Sequence, residues 1–132
     1  MAQTPIEVIE WISDKFTLGD VDILLEVYEP NAVMVAQPGV IVNGLEGVRA
    51  GLLGMLSLHI DLKLIPRKVL QSGDIALVIS EWTMTKPGTG ELVMSGQSSD
   101  VVRQQPDGTW LMVIDNPHGL GWALEEVTNA AE

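Results

Sequence analysis

Three acidic side chains, Glu81, Asp100 and Asp115, sit among apolar neighbours in the second half of this chain and are its best candidates for chemistry. A carboxylate taken out of water has its pKa pushed upward, because burial disfavours the charged form, and the resulting neutral acid donates a hydrogen bond to a carbonyl or enolate oxygen. The turn Gln105-Pro106-Asp107-Gly108-Thr109 supplies a register for testing this. With Gln105 opposite Thr109 in a three-residue loop, Val102 faces Met112 and Asp100 faces Ile114. Asp100 then lies in the middle of the greasier face, together with Trp110, Met94 and Leu92. The competing reading is structural: Asp100 accepts hydrogen bonds from Ser98, Arg103 or a backbone amide at the rim of a sheet. In the same register Asp115 falls on the opposite face beside Ser99, and Asp115-Asn116-Pro117 reads as a strand end turning outward. A slip of one residue would reverse that and set Asp115 against Asp100 as a coupled pair. Glu81 is read as a third inward carboxylate.

Other chemistries find less support. His59 follows a helix end, where the dipole favours a cation, and His118 sits in a Pro-His-Gly loop. Two isolated histidines make a poor metal site. Ser98-Ser99 lacks the strand–turn–helix elbow of a serine hydrolase, and no glycine-rich phosphate loop is present. No cofactor is expected. Trp11, Trp82, Trp110 and Trp122 read as core and interface, with some of them lining a pocket. Gln37, Ile12, Tyr28, Trp82, Met94, Trp110 and His118 are the expected ligand contacts.

Composition limits the partners. Eighteen acids against seven bases give a net charge of −11, which repels nucleic acid and acidic lipid head groups. Without cysteine there is no disulfide, thiol nucleophile or zinc thiolate site. Glu7, Glu10 and Asp14 interrupt any secretory signal, and no apolar run approaches the ~20 residues of a membrane span, so a cytoplasmic protein is expected. At 46% hydrophobic and 19% charged, the chain carries more apolar surface than one small core hides. The surplus is expected to line a pocket for a small hydrophobic ligand and to cover a second copy of the chain.

The elements that must position these residues follow from periodicity. Thr4-Pro5-Ile6-Glu7 opens a helix and Gly19 stops it; Asp20 caps a second, whose stripe is Val21, Leu24, Leu25 and Tyr28. Val33–Ala36 and Val40–Val42 are short strands about the turn Gln37-Pro38-Gly39. Val48, Leu52, Met55 and Leu56 mark a third helix, whose Gly51 and Gly54 suggest close backbone packing. Four long period-two runs then follow, 60–70, 75–85, 91–104 and 109–116, joined by turns. Pro66 places the first at an edge or on a bulge. The acidic tail after Gly121 is expected to fray. One domain of the α+β class is predicted over residues 1–132, with three helices packed on a strongly curved antiparallel sheet that encloses a mouth.

This pattern resembles the cone-fold superfamily, which includes nuclear transport factor 2-like, ketosteroid isomerase-like, scytalone dehydratase and SnoaL-like proteins. The stretches that carry it are Gly19-Asp20 through Pro38-Gly39, Asp100-Val101-Val102-Arg103 through Asp107-Gly108, and Val113-Ile114-Asp115-Asn116. The nearest pattern is that of bacterial SnoaL-like proteins, of uncharacterised role, with a similar Ile-Asp-Asn-Pro stretch. By this resemblance Asp100 matches the protonated aspartic acid of the isomerases. Gln37 stands where their general base would be, and Ile12 where their phenol would be. Asp115 falls near the acid/base aspartate of the SnoaL-type cyclases. The resemblance implies a pocket for a small hydrophobic molecule with isomerase, cyclase or dehydratase-type proton transfer, and pairing through the outer sheet face. A non-catalytic ligand-binding or dimerisation module is the alternative.

Overall fold

The computed structural model describes residues 1–119; Trp122 and the tail after Gly121 lie outside them. Helix α1 (Pro5–Lys15) begins where the Thr4 hydroxyl accepts from the Glu7 amide and proline occupies the first turn. Glu7 in return accepts from the amide of Gln3, one residue before the cap. A 3-10 turn (Phe16–Leu18) follows, ended by Gly19 at φ 70°. The second helix, α2, is only Val21–Leu25. Tyr28 is therefore not the last residue of its stripe but the first of strand β1 (Tyr28–Gln37), a correction with consequences for the site. The 3.6-residue spacing of Val21, Leu24, Leu25 and Tyr28 is coincidental at its last member, because the turn at Glu26-Val27 redirects the chain.

β2 (Val40–Asn43) precedes α3 (Gly44–Leu56), and the four long strands are β3 (Asp61–Ser72), β4 (Ile75–Thr85), β5 (Leu92–Gln104) and β6 (Trp110–Asp115). They form one open six-stranded sheet in the order β2-β1-β6-β5-β4-β3. Four pairings are antiparallel, whereas β1 runs parallel to β6. The predicted α+β class holds; the sheet is mixed because β1 is joined to β6 by most of the chain and not by a hairpin. Every pairing contains a register irregularity, and each such bulge bends its strand. Pro66 satisfies both of its expected roles: β3 is an edge strand, and its ladder to β4 shifts between Pro66 and Lys68.

The core lies between the helices and one face of the sheet. Val8, Ile9 and Ile12 of α1 and Val48 and Leu52 of α3 pack there against Val78, Val102 and Met112. The two helix glycines act differently from expectation. A Cβ on Gly51 would stand 2.6 Å from the Met34 sulfur, a side chain and not a backbone, and one on Gly54 would meet nothing. Both border the cavity described below. Gly96 is tighter still, since the Trp82 indole lies over it and an added Cβ would sit 2.6 Å from the ring. We expect Gly96→Ala to cost about 1–3 kcal/mol, the usual penalty for overfilling a packed core. Urea denaturation measures this, and unchanged stability would show that the ring moves aside freely.

Candidate functional site

The helices and the inner sheet face enclose a cavity of about 540 Å³, within the size range of small-molecule pockets. Its walls are apolar, with Ile9 and Ile12 from α1, Leu52 and Met55 from α3, and Leu62, Trp82, Met84 and Met112 from the strands. Polar groups are few among the described residues lining it: Tyr28, Gln37, Ser98, Asp100, Asp115 and His118.

Asp100 and Asp115 meet at the floor. The reason is a bulge: Val102 pairs with Met112 as the hairpin register requires, but Val101 pairs with Ile114, leaving Val113 over. That extra residue moves Asp115 from the outer face to the inner one, reversing the placement read from an unbroken ladder. Burial along β6 shows the step, falling on Trp110 and Met112 and then on Asp115. Asp115 is only 9% exposed and Asp100 3%. Asn116 does not lead the chain outward at once. Its amide donates to Asp100 Oδ1 at 2.8 Å, its carbonyl accepts from the Ser99 amide at 3.0 Å, and its side chain donates to Ser99 Oγ at 3.1 Å.

Tyr28 completes the floor. Its hydroxyl donates to Asp115 Oδ2 at 2.6 Å, from the start of the strand that runs beside β6. Burial is the first cause that pushes both carboxyls upward in pKa. For Asp100 the charge of Asp115 adds to it, against the Asn116 amide and the Ser98 hydroxyl, which favour the anion. For Asp115, hydrogen bonds from Tyr28 and Asp100 and the charge of His118 hold the rise back. The two carboxyls thus titrate as one coupled pair, each raised by burial. Burial, then the charge of Asp115, pushes the Tyr28 phenol well above its ordinary range, so it remains a donor. Ser98 Oγ stands near Asp100 but makes no hydrogen bond of good geometry and is buried.

The remaining expected site residues divide. Gln37, Ile12, Tyr28, Trp82, Met94 and His118 line the cavity, Met94 from an exposed position. The Trp82 indole is fixed by donating to the Pro117 carbonyl at 2.6 Å. Trp110 does not line it; the ring is buried in the core, where its backbone amide donates to Ala2. Glu81 is not an inward carboxylate. It alternates out of the sheet between Ser80 and Trp82, is half exposed, and pairs with Arg67 at 3.0 Å. His59 lies outside the cavity in a left-handed conformation, φ 51°, after α3. The sequence named Ser98 only as a structural donor to Asp100 and not as a cavity residue, and it gave no sign of the Tyr28 hydroxyl as a partner of Asp115. Inward alternation from Asp100 would have found Ser98; nothing local places Tyr28 beside β6.

Known proteins share this architecture. A candidate calcium/calmodulin-dependent protein kinase type II association domain from Thiobacillus denitrificans is 19% identical with a TM-score of 0.76, over 89% of this chain and 95% of that one. A candidate ketosteroid isomerase from Shewanella frigidimarina is 18% identical with a TM-score of 0.67, over 83% and 90% of the two chains. A candidate dehydratase of the NTF2-like family from Streptomyces avermitilis is 17% identical with a TM-score of 0.67, again over 83% and 90%. At these identities the likeness is one of fold. No curated protein matches the chain. The profile of the SnoaL-like domain matches residues 8–113, from the first helix to the last strand, and the chain belongs to the SnoaL-like domain family.

Proposed function

We propose that this chain binds a small, largely apolar carbonyl compound in the cavity and moves a proton on it. The observation that carries this reading is the pair Asp100–Asp115, two buried carboxyls brought together at the floor of an apolar chamber. Asp115 takes a proton from the carbon next to the carbonyl, while the carboxylic acid of Asp100 donates to the oxygen on which charge develops. Ser98, buried and unpartnered two residues along the same face, offers a second hydroxyl to that oxygen. Tyr28 holds Asp115 in place and Gln37 orients the ligand from the mouth. Structural neighbours described as a candidate isomerase and a candidate dehydratase support a reaction of this type.

The test is hydrogen–deuterium exchange. Apolar cyclic ketones incubated with the protein in deuterium oxide are expected to lose their α-proton NMR signals faster than in buffer. A second reading, a binding module without turnover, is favoured by one observation: Asp115 already accepts from Tyr28 at 2.6 Å, which weakens it as a base. Ketones that bind without accelerated exchange would establish that reading instead.

A homodimer is part of the proposal. On the outer sheet face, Leu70, Leu77, Val101, Ile114 and Val33 are paired in succession across five strands, an aliphatic row left partly open to solvent. Light scattering is expected to give twice the monomer mass at micromolar concentration, and the monomer mass for Leu77→Lys/Val101→Lys. A monomeric wild-type protein would refute the pairing.

A further inference from the structure

The cavity holds two carboxyl groups but no lysine or arginine among its described lining residues to counter them. Residues 120–132 contain none either. All seven basic side chains are committed elsewhere. Arg49, Arg67, Lys86 and Arg103 are ion-paired to Asp22, Glu81, Glu91 and Glu29. Lys15 lies over the Trp11 ring, and Lys63 and Lys68 are exposed on β3. His118 is the one imidazole among the described lining residues. Ser98 Oγ, a buried polar atom that lines the cavity without a partner, is a hydroxyl that serves an uncharged oxygen or nitrogen as readily as an ion.

We infer that the site takes its ligand as an uncharged molecule, such as a free ketone, aldehyde or ester, and rejects the corresponding carboxylate or phosphate-bearing form. This rests on reading the cavity as the ligand site and adds the charge class of what enters. An anionic head group reaching the floor would meet the carboxylate of Asp115 in a chamber screened little by water or salt. Two like charges about 6 Å apart at an effective dielectric of about 20 repel enough to weaken binding roughly 100-fold. The net charge of −11 opposes an anion on approach as well. A neutral ligand meets neither obstacle.

The decisive comparison is methyl 2-naphthoate against 2-naphthoate, one ring system with a neutral and an anionic head group, titrated into the 132-residue chain by calorimetry at pH 7.5. The ester is expected to bind about 100-fold more tightly than the acid. That ratio is expected to survive a change from 0.05 to 0.5 M NaCl, since the opposing charge is buried. In the isosteric variant Asp100→Asn/Asp115→Asn, checked for folding by circular dichroism, the ratio is expected to fall below about tenfold. Equal affinities for ester and acid would overturn the inference and leave the ligand cavity standing. A ratio that collapses with salt would overturn it too, by assigning the selection to the surface. Binding of neither probe would remove the ligand-cavity reading and this inference with it.

Discussion

Replacing Asp115 by asparagine is expected to abolish ketone exchange almost completely, lowering the rate on the order of 1,000-fold. The amide keeps the shape of the side chain and still accepts from the Tyr28 hydroxyl, so the floor remains assembled. What it loses is the basicity of a carboxylate, since an amide oxygen does not take up a proton near neutral pH. A binding constant within about threefold of wild type would accompany the loss, because the apolar walls that hold the ligand are untouched. Asp100→Asn is expected to act more mildly, since an amide N–H still donates to the oxygen while the pool of acidic protons is gone. If Asp115→Asn retains more than a tenth of the exchange rate, Asp115 is not the base.

The second large effect is on stability and depends on pH. Asp100 is raised well above the ordinary carboxylate value, so the folded protein holds a proton that the unfolded chain releases near pH 4. A group with its pKa raised in the folded state favours folding fully only below the unfolded value. Its contribution is lost progressively as pH climbs through the folded one. The wild-type protein is therefore expected to lose stability between about pH 4 and the raised pKa of Asp100, beyond what its surface acids account for. Asp100→Asn places a permanent neutral analogue of the protonated acid there, still able to accept from the Asn116 amide. It is expected to match wild type at pH 4 and to exceed it by a margin that widens as the pH rises toward 8 in urea unfolding. A difference that stays constant across that range would mean Asp100 does not carry the stored proton.

The same residue that stabilises the fold when neutralised is the one the proposed chemistry needs as an acid. That trade fits a site whose polar groups are kept at some cost to the fold.

Much of this was legible in the chain itself. Turn chemistry and a change of period at residue 59 marked the helices and the four long strands, because local propensity and hydrophobic patterning act over a few residues at a time. The alternation around Asp100 was enough to turn it inward, and the proline in β3 announced both an edge and a bulge. Tertiary structure decided the rest. Whether Asp115 faces Asp100 depends on a single extra residue, Val113, and an unbroken pairing of β5 with β6 gives the opposite answer. Glu81 looked inward by its apolar neighbours, yet strict alternation with Trp82 sends it to solvent, where Arg67 meets it. Tyr28 reaches the pair only through the parallel pairing of β1 with β6, a contact between residues 87 positions apart. Patterning tells a residue whether to be buried, since that is a property of its own side chain and near neighbours. Which buried groups touch is fixed by long-range pairing and by bulges, and these depend on the packing of the whole sheet at once.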